Sequence, residues 1–291
     1  EWTLDMIAST GMAGNVNTLY LYATTSMTDS DIAVEYNHWV TDNLAPIGNS
    51  SFGICEVFPY IDGSMLVDDM IFLEGAAQGQ TMFASTGDNG GNCSVGVPNG
   101  VPAGAPLVEY PSASAYAVAV GGTTLVSQVD GTYQGEAAWY AGGGGISQFE
   151  YSPYWEQGVQ PISSTPAGFT FRGSPDVSMD GDLQTGMKIY EGGRWTVTGG
   201  TSLSSPLMAG VWARMLQSHP GLGYAPPLLY HAFAISNPGT KYAGPPVTIQ
   251  VGPFHDVING SNGPYAALPN WDYTTGLGSV DVDALNAAIG K

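Results

Sequence analysis

One serine and three acids stand in settings where they could share chemistry. Ser202 lies in "GGTSLSSPLMAG" (199–210), where two glycines and a threonine precede a hydroxyl at the opening of what reads as a buried helix. Glycines let a backbone turn sharply and approach a ligand closely. A helix N-terminus offers unpaired N–H groups and the positive end of its dipole. A serine there has electrostatic help for a developing oxyanion. It also suits a plain N-cap, which asks for no chemistry.

A nucleophilic serine needs a base. The four histidines fall in "NHWV" (His38), "SHPG" (His219), "YHAF" (His231) and "FHDV" (His255), none in an H-G-T-x-V setting. A Ser-His-Asp triad of that kind is therefore not supported. A carboxylate is the alternative. "EWTLD" sets Glu1 and Asp5 four residues apart, on one face of a helix. Two carboxyls that close repel when both are ionised, so one pKa rises and a proton is shared. Such a pair works as a base in acid, where histidine is fully protonated. The same spacing also describes ordinary first-turn acids. Asp88, in "FASTGDNGG" (83–91), occupies a glycine turn directly after a predicted strand. Parallel sheets place active groups at such strand ends, and a protonated carboxyl there can donate to an oxyanion. A turn aspartate is equally natural.

The elements that must position these groups are legible in outline. Residues 1–14 read as a short helix stopped by Gly11 and Gly14. "NTLYLYA" (17–23) reads as a buried strand, 29–43 as a helix, "SFGICEV" (51–57) and "QTMFAST" (80–86) as strands, and 64–79 as a helix between them. Residues 115–126 form another strand; about 127–198 reads as long loops and short strands. Residues 202–220 read as a helix that Pro206 permits in its first turn, and a last helix lies near 281–290. Alternating strands and helices predict an α/β fold, a parallel β-sheet flanked by helices on both faces. No repeat or clean linker interrupts 1–291, so one domain is expected.

The charge is lopsided, with 25 Asp and Glu against 6 Lys and Arg, a formal net charge of −19. That excludes nucleic acid as a partner, since phosphate binding needs a basic face. It serves solubility, and it also suits work in acid, where carboxyls neutralise and few bases build up cationic repulsion. No stretch reaches the length of a membrane span. No charged-then-apolar leader is visible, so the chain is expected to be mature or to begin elsewhere. Sequons begin at Asn49, Asn92 and Asn259 and tilt toward a secreted or lysosomal, vacuolar route. Cys55 and Cys93 could form one disulfide or stay two buried thiols.

Taken in order, these stretches resemble the sedolisin family of serine-carboxyl peptidases. The likeness runs through "EWTLD", "SFGICE" (51–56), "STGDNG" (85–90), "YPSASAYAVAVGGTTL" (110–125), "GGGGISQFE" (142–150), "RGSPDVSMDGD" (172–182), "GGTSLSSPLMAG", "FHDVINGSNGPY" (254–265) and "NWDYTTGLGSVD" (270–281). It implies a subtilisin-like fold and peptide hydrolysis through an acyl-enzyme. Ser202 would be the nucleophile, Glu1 the general base and Asp5 its proton-sharing partner. Asp88 would complete the oxyanion hole. It also implies one structural Ca²⁺ in a C-terminal loop region, held by the carboxylates of Asp256 and Asp272 and the carbonyls of Val257, Leu268 and Asn270. At Leu268 and Asn270 the family usually has glycine. In the family several dozen residues of catalytic domain precede this Glu, which here is residue 1. The missing first strands are thus expected on a second chain, with a propeptide already removed. The implied substrate is polypeptide, cut by endopeptidase or tripeptidyl-peptidase action. The loops around 51–60, 89–105 and 130–160 would set its preference. The rival readings are an inactive calcium-binding secreted homologue and an acid glycosidase using a carboxylate pair.

Overall fold

The computed structural model describes residues 1–93, 106–160, 170–236, 238–241 and 248–290. The expected loops at 94–105 and the 161–169 part of the middle region lie outside them. The chain opens with α1 (Trp2–Ala13), α2 (Asp29–Asp42), β1 (Ile47–Ser50), β2 (Ile54–Cys55), α3 (Val57–Asp62), α4 (Ser64–Ala77), β3 (Thr81–Ser85) and β4 (Glu109–Tyr110). The middle carries β5 (Ala117–Ser127), β6 (Tyr133–Ala138), β7 (Gly145–Tyr151), β8 (Phe171–Ser174), β9 (Val177–Asp180) and a hairpin of β10 (Met187–Glu191) and β11 (Arg194–Thr198). Then come α5 (Thr201–Ser218), α6 (Ala225–Ala234), β12 (Pro238–Lys241), β13 (Thr248–Val251), β14 (Phe254–Val257), β15 (Ser279–Val280) and α7 (Val282–Ala288).

The main sheet runs β1-β3-β5-β9-β15-β14-β13-β12, with β6 pairing β5. Strands β1, β3, β5, β9 and β15 are parallel; β14, β13 and β12 continue antiparallel. Residue alternation decides which helix layer each side chain meets. On β3, Phe83 joins the core with Met208 and Trp212 of α5. Its neighbour Met82 points the other way, to Tyr36, Trp39 and Val40 of α2 and Phe72 of α4. The expected parallel sheet with helices on both faces is therefore present.

Two expected strands differ. Residues 17–23 form no strand, and Leu19 and Leu21 are about half exposed, at 48% and 54%. The segment has the right residues but no ladder partner: β1 is the sheet's outermost strand, and no described strand pairs with its outer edge. An extended segment without a neighbour makes no ladder. The strand expected at 51–57 is also displaced. Pairing ends at Ser50, residues 51–53 run on unpaired across the sheet's C-terminal edge, and only Ile54–Cys55 pairs again, with β4.

Helix α1 lies directly on α5. A side chain at Gly210 would meet the Ser9 carbonyl at 2.5 Å, so only glycine lets the two backbones approach this closely. Cys55 and Cys93 are joined in a disulfide 38 residues apart, tying β2 to the loop after β3. Closing a loop of that size contributes about 2–4 kcal/mol.

The core holds several carboxyls. Asp68 is 5% exposed, and its Oδ1 has no hydrogen-bond partner. Burial and the neighbouring Asp69 charge push it up to about 7. Burial likewise lifts Glu56 to about 7. Burial and the adjoining Asp69 carboxyl lift Glu150 to about 8. The folded chain thus holds protons that the unfolded chain releases near pH 4. Their stabilisation is full below about pH 4 and is lost as pH rises through 7 to 8. We expect the melting temperature to fall by about 10 °C between pH 4 and pH 8. Scanning calorimetry across that range checks it; a rise toward neutrality would contradict the assignment of protonated buried carboxyls.

Candidate active site

Three parallel-sheet features end at one place. The chain leaving β1 delivers Ser51, the turn after β3 delivers Asp88, and α5 begins with Thr201 and Ser202. Strand C-termini and a helix N-terminus meet where α/β sheets bind ligands. The β10–β11 hairpin feeds α5 through Gly199 and Gly200, and its Ile189 packs with Leu4 of α1 and Leu203 of α5.

Gly200 answers why glycine precedes this helix. Its φ is +93°, and a side chain there would sit 2.6 Å from Asp88 Oδ2. The Thr201 N–H donates to Asp88 Oδ1 at 2.8 Å and the Thr201 hydroxyl donates to the same oxygen at 2.9 Å. Asp88 is thus anchored by one oxygen while the other faces the start of α5. The Gly87 N–H donates to Thr201 Oγ1 at 3.0 Å, and Gly143 N–H donates to Gly87 O at 2.8 Å, so the "AGGGG" run braces this turn from behind. Ser202 lies in the first turn, where backbone N–H groups lack helical partners.

On the other side of Ser202 sits Asp5. The Ser51 hydroxyl donates to Asp5 Oδ1 at 2.5 Å and Asn49 Nδ2 donates to the same oxygen at 3.1 Å. The Ser202 hydroxyl donates to the Ser51 carbonyl at 3.3 Å. Burial is the main reason that the Asp5 carboxyl is pushed up to about 6; the Ser51 and Asn49 hydrogen bonds oppose it and the Glu1 charge adds to it. Glu1 stands one turn before Asp5 as the N-cap of α1, exposed, and makes no side-chain hydrogen bond among the described residues. The structure therefore brings Ser202, Asp5 and Asp88 around one helix N-terminus, with Glu1 at the solvent side. None of the four histidines hydrogen-bonds Ser202. His38 lies by Glu35, His219 pairs with Asn286, and His255 is buried near Glu136 and Asp281.

Sequence reasoning missed Ser51 and Asn49. Their position at the end of β1, the same strand-end signal that pointed to Asp88, was available for both. Asn49 read instead as a sequon. Its amide is committed on both sides, with Nδ2 donating to Asp5 and to the Ser51 hydroxyl and Oδ1 accepting from the Ser205 hydroxyl at 2.7 Å.

The expected cation ligands lie apart from this cleft. Asp256 on β14 and Asp272 are each 2% exposed. Asn270 N–H donates to Asp256 at 2.7 Å and Leu268 N–H to Asp272 at 2.9 Å, so the 268–272 loop wraps the two carboxylates. No three His, Cys, Asp or Glu side chains are grouped for a metal among the described residues. Asp272 Oδ1 also accepts from the Thr274 N–H at 2.7 Å and the Thr275 N–H at 2.9 Å, so both carboxylates are met by backbone donors.

The geometry can be set beside known proteins. Residues 4–231 match the Subtilase family model. Sedolisin of Pseudomonas sp. (strain 101) is 36% identical over 99% of this chain and 49% of its own length. Xanthomonalisin of Xanthomonas sp. (strain T-22) is 32% identical over 98% of this chain and 37% of its own. The chain thus spans about half the length, or less, of these curated relatives. A solved structure of Pseudomonas sedolisin, a serine-carboxyl proteinase complexed with pseudo-iodotyrostatin, superposes with a TM-score of 0.83 at 35% identity, covering 98% of this chain and 77% of that one. With its subtilisin-like α/β fold, the chain belongs to the sedolisin family of serine-carboxyl peptidases.

Proposed function

We propose that this protein is an acid-acting serine-carboxyl peptidase that cleaves polypeptides through an acyl-enzyme on Ser202. The observation that carries this reading is the link from Asp5 through Ser51 to Ser202, with Asp88 anchored across the same helix N-terminus. Ser202 Oγ attacks the peptide carbonyl while Glu1, turning in from solvent, takes its proton as general base. Asp5 holds the partner proton of the pair and keeps it at acidic pH. The developing oxyanion is met by the Ser202 N–H and by a protonated Asp88, whose Oδ1 is already fixed by Thr201. Glu1 then returns the proton to the leaving amine, and water releases the acyl group.

The buried acids and the Cys55–Cys93 disulfide favour a secreted, lysosomal or vacuolar acidic compartment. No helix of the described residues is long and apolar enough to cross a membrane. We read the Asp256 and Asp272 carboxylates, with the Val257, Leu268 and Asn270 carbonyls, as the seat of one structural Ca²⁺. That ion would neutralise two buried charges and hold the 268–272 loop. The outer edge of β1 we read as the pairing edge for a strand from a second polypeptide.

Ser202→Ala should lower peptide hydrolysis at pH 4 by at least about ten-thousandfold. Asp88→Ala should lower kcat by about 100- to 1000-fold. Wild-type rate should fall as pH rises through about 6, the range in which Asp5 gives up its proton. A quenched-peptide assay of these variants and of the pH profile checks all three; full activity at pH 8 would rule out the carboxyl mechanism. Removing Ca²⁺ with a chelator should destabilise the fold by about 3 kcal/mol, reversed by added Ca²⁺ but not Mg²⁺. An unchanged melting temperature would remove the ion from the account. Intact mass of the active preparation after reduction and denaturation should show a second polypeptide; a single species with full activity would discard the paired-strand reading.

A further inference from the structure

The turn after β9 carries an acid that the peptidase reading leaves without a task. Asp182 lies just beyond Asp180, the last residue of β9. Its Oδ2 accepts from the Thr124 hydroxyl of β5 at 2.7 Å, and its Oδ1 accepts from the Gln184 N–H at 2.9 Å. The peptide unit joining Gly181 to Asp182 stands between β5 and the start of α5. On one side the Asp182 N–H donates to the Thr123 carbonyl at 3.1 Å. On the other the Gly181 carbonyl accepts from the Gly200 N–H at 2.7 Å. A trans peptide is planar, with its C=O and N–H opposed, so this unit is a rigid spacer.

Bare backbone lets the spacer sit close. A Cβ on Gly181 would lie 2.9 Å from Ser204 Oγ, and one on Gly199 would lie 2.7 Å from the Gly181 oxygen. A Cβ on Gly186, at the far end of the turn, would lie 2.0 Å from the Thr198 oxygen. The turn therefore rests directly on residues 198–200. Gly200, which the spacer holds, has φ +93° and precedes both groups of the oxyanion site. The next N–H, of Thr201, anchors Asp88 at 2.8 Å, and the one after it belongs to Ser202. A rotation at Gly200 would move both groups together. The Thr123 carbonyl alone leaves the spacer free to tilt; the Asp182 side chain on Thr124 adds a second fixed point on the same strand. We propose that Asp182 is a positioning residue for peptide hydrolysis: held on Thr124, it fixes the Gly181–Asp182 peptide plane and thereby aims the Ser202 N–H and Asp88 at the oxyanion. A misplacement of about 1 Å in such groups costs about 100-fold in rate.

This inference rests on the peptidase reading and is tested separately from it. A quenched peptide and a peptide aldehyde would be measured at pH 4 with wild type, Asp182→Ala, Thr124→Val and Thr124→Ser. The serine O–H adds across the aldehyde C=O to give a hemiacetal, whose oxygen takes the oxyanion position. Asp182→Ala and Thr124→Val should each lower kcat by about 10- to 100-fold, with KM changed by less than about twofold. Aldehyde binding should weaken by the same factor as kcat. Thr124→Ser, which keeps the hydroxyl, should restore both. In an Asp88→Ala background, Asp182→Ala should cost only about threefold or less, because the two residues serve one site. Unchanged kcat in Thr124→Val would overturn the assignment, even where Asp182→Ala fails to fold. A loss of kcat that leaves aldehyde binding intact, or one of full size in the Asp88→Ala background, would mark Asp182 as structural and overturn it too. No Ser202-dependent hydrolysis of any peptide would overturn both readings.

Discussion

The close packing of α1 on α5 is the constraint on which the site depends. Asp5 comes from the first helix and Ser202 from the start of the fifth, separated by nearly two hundred residues of chain. They meet because α1 lies flat on α5 at Gly210, where the Ser9 carbonyl occupies the space of a missing side chain. Leu4 and Ala8 of α1 then bury against Leu203 and against Ile189 of the hairpin. The hairpin, α1 and the N-terminal half of α5 thus form one packed unit. Apolar burial in this unit orients the polar groups at its rim, as packing generally does for side chains too few to hold themselves.

Around that unit the sheet supplies the remaining groups by its strand order. Because β1 and β3 are adjacent and parallel, their C-terminal exits lie side by side and flank the first turn of α5. One exit carries Ser51 and the other Asp88. The helix N-terminus between them contributes N–H groups and a favourable dipole, which suits a carboxylate anchor and an oxyanion alike. Asp88 is held through Thr201, which also receives the Gly87 N–H, so turn and helix are locked to one another.

The protein handles acid by burying carboxyls instead of pairing them. It has too few cations to pair more than a handful, and the deepest ion pairs join Arg172 to Glu156 and to Asp176. Elsewhere burial itself keeps protons on Asp68, Glu56 and Glu150. The same physics, burial beside another negative charge, raises Asp5 in the cleft. Fold stability and cleft chemistry therefore respond to pH in the same direction.

Local pattern made much of this legible from residues alone. Helical spacing located α1, α2, α4, α5 and α7, and apolar runs located β3 and β5, because those signals depend on near neighbours in the chain. The spacing of Glu1 and Asp5, the turn holding Asp88 and the glycine run before Ser202 were readable for the same reason. Tertiary structure alone decided that Leu19 and Leu21 form no strand, since a ladder needs a partner that no local pattern supplies. It alone joined Cys55 to Cys93, drew Asn49 and Ser51 onto Asp5, and set Asp182 on Thr124. Each of these is a contact between segments far apart in sequence, fixed by strand order and helix packing, and such contacts leave no periodic trace in either segment.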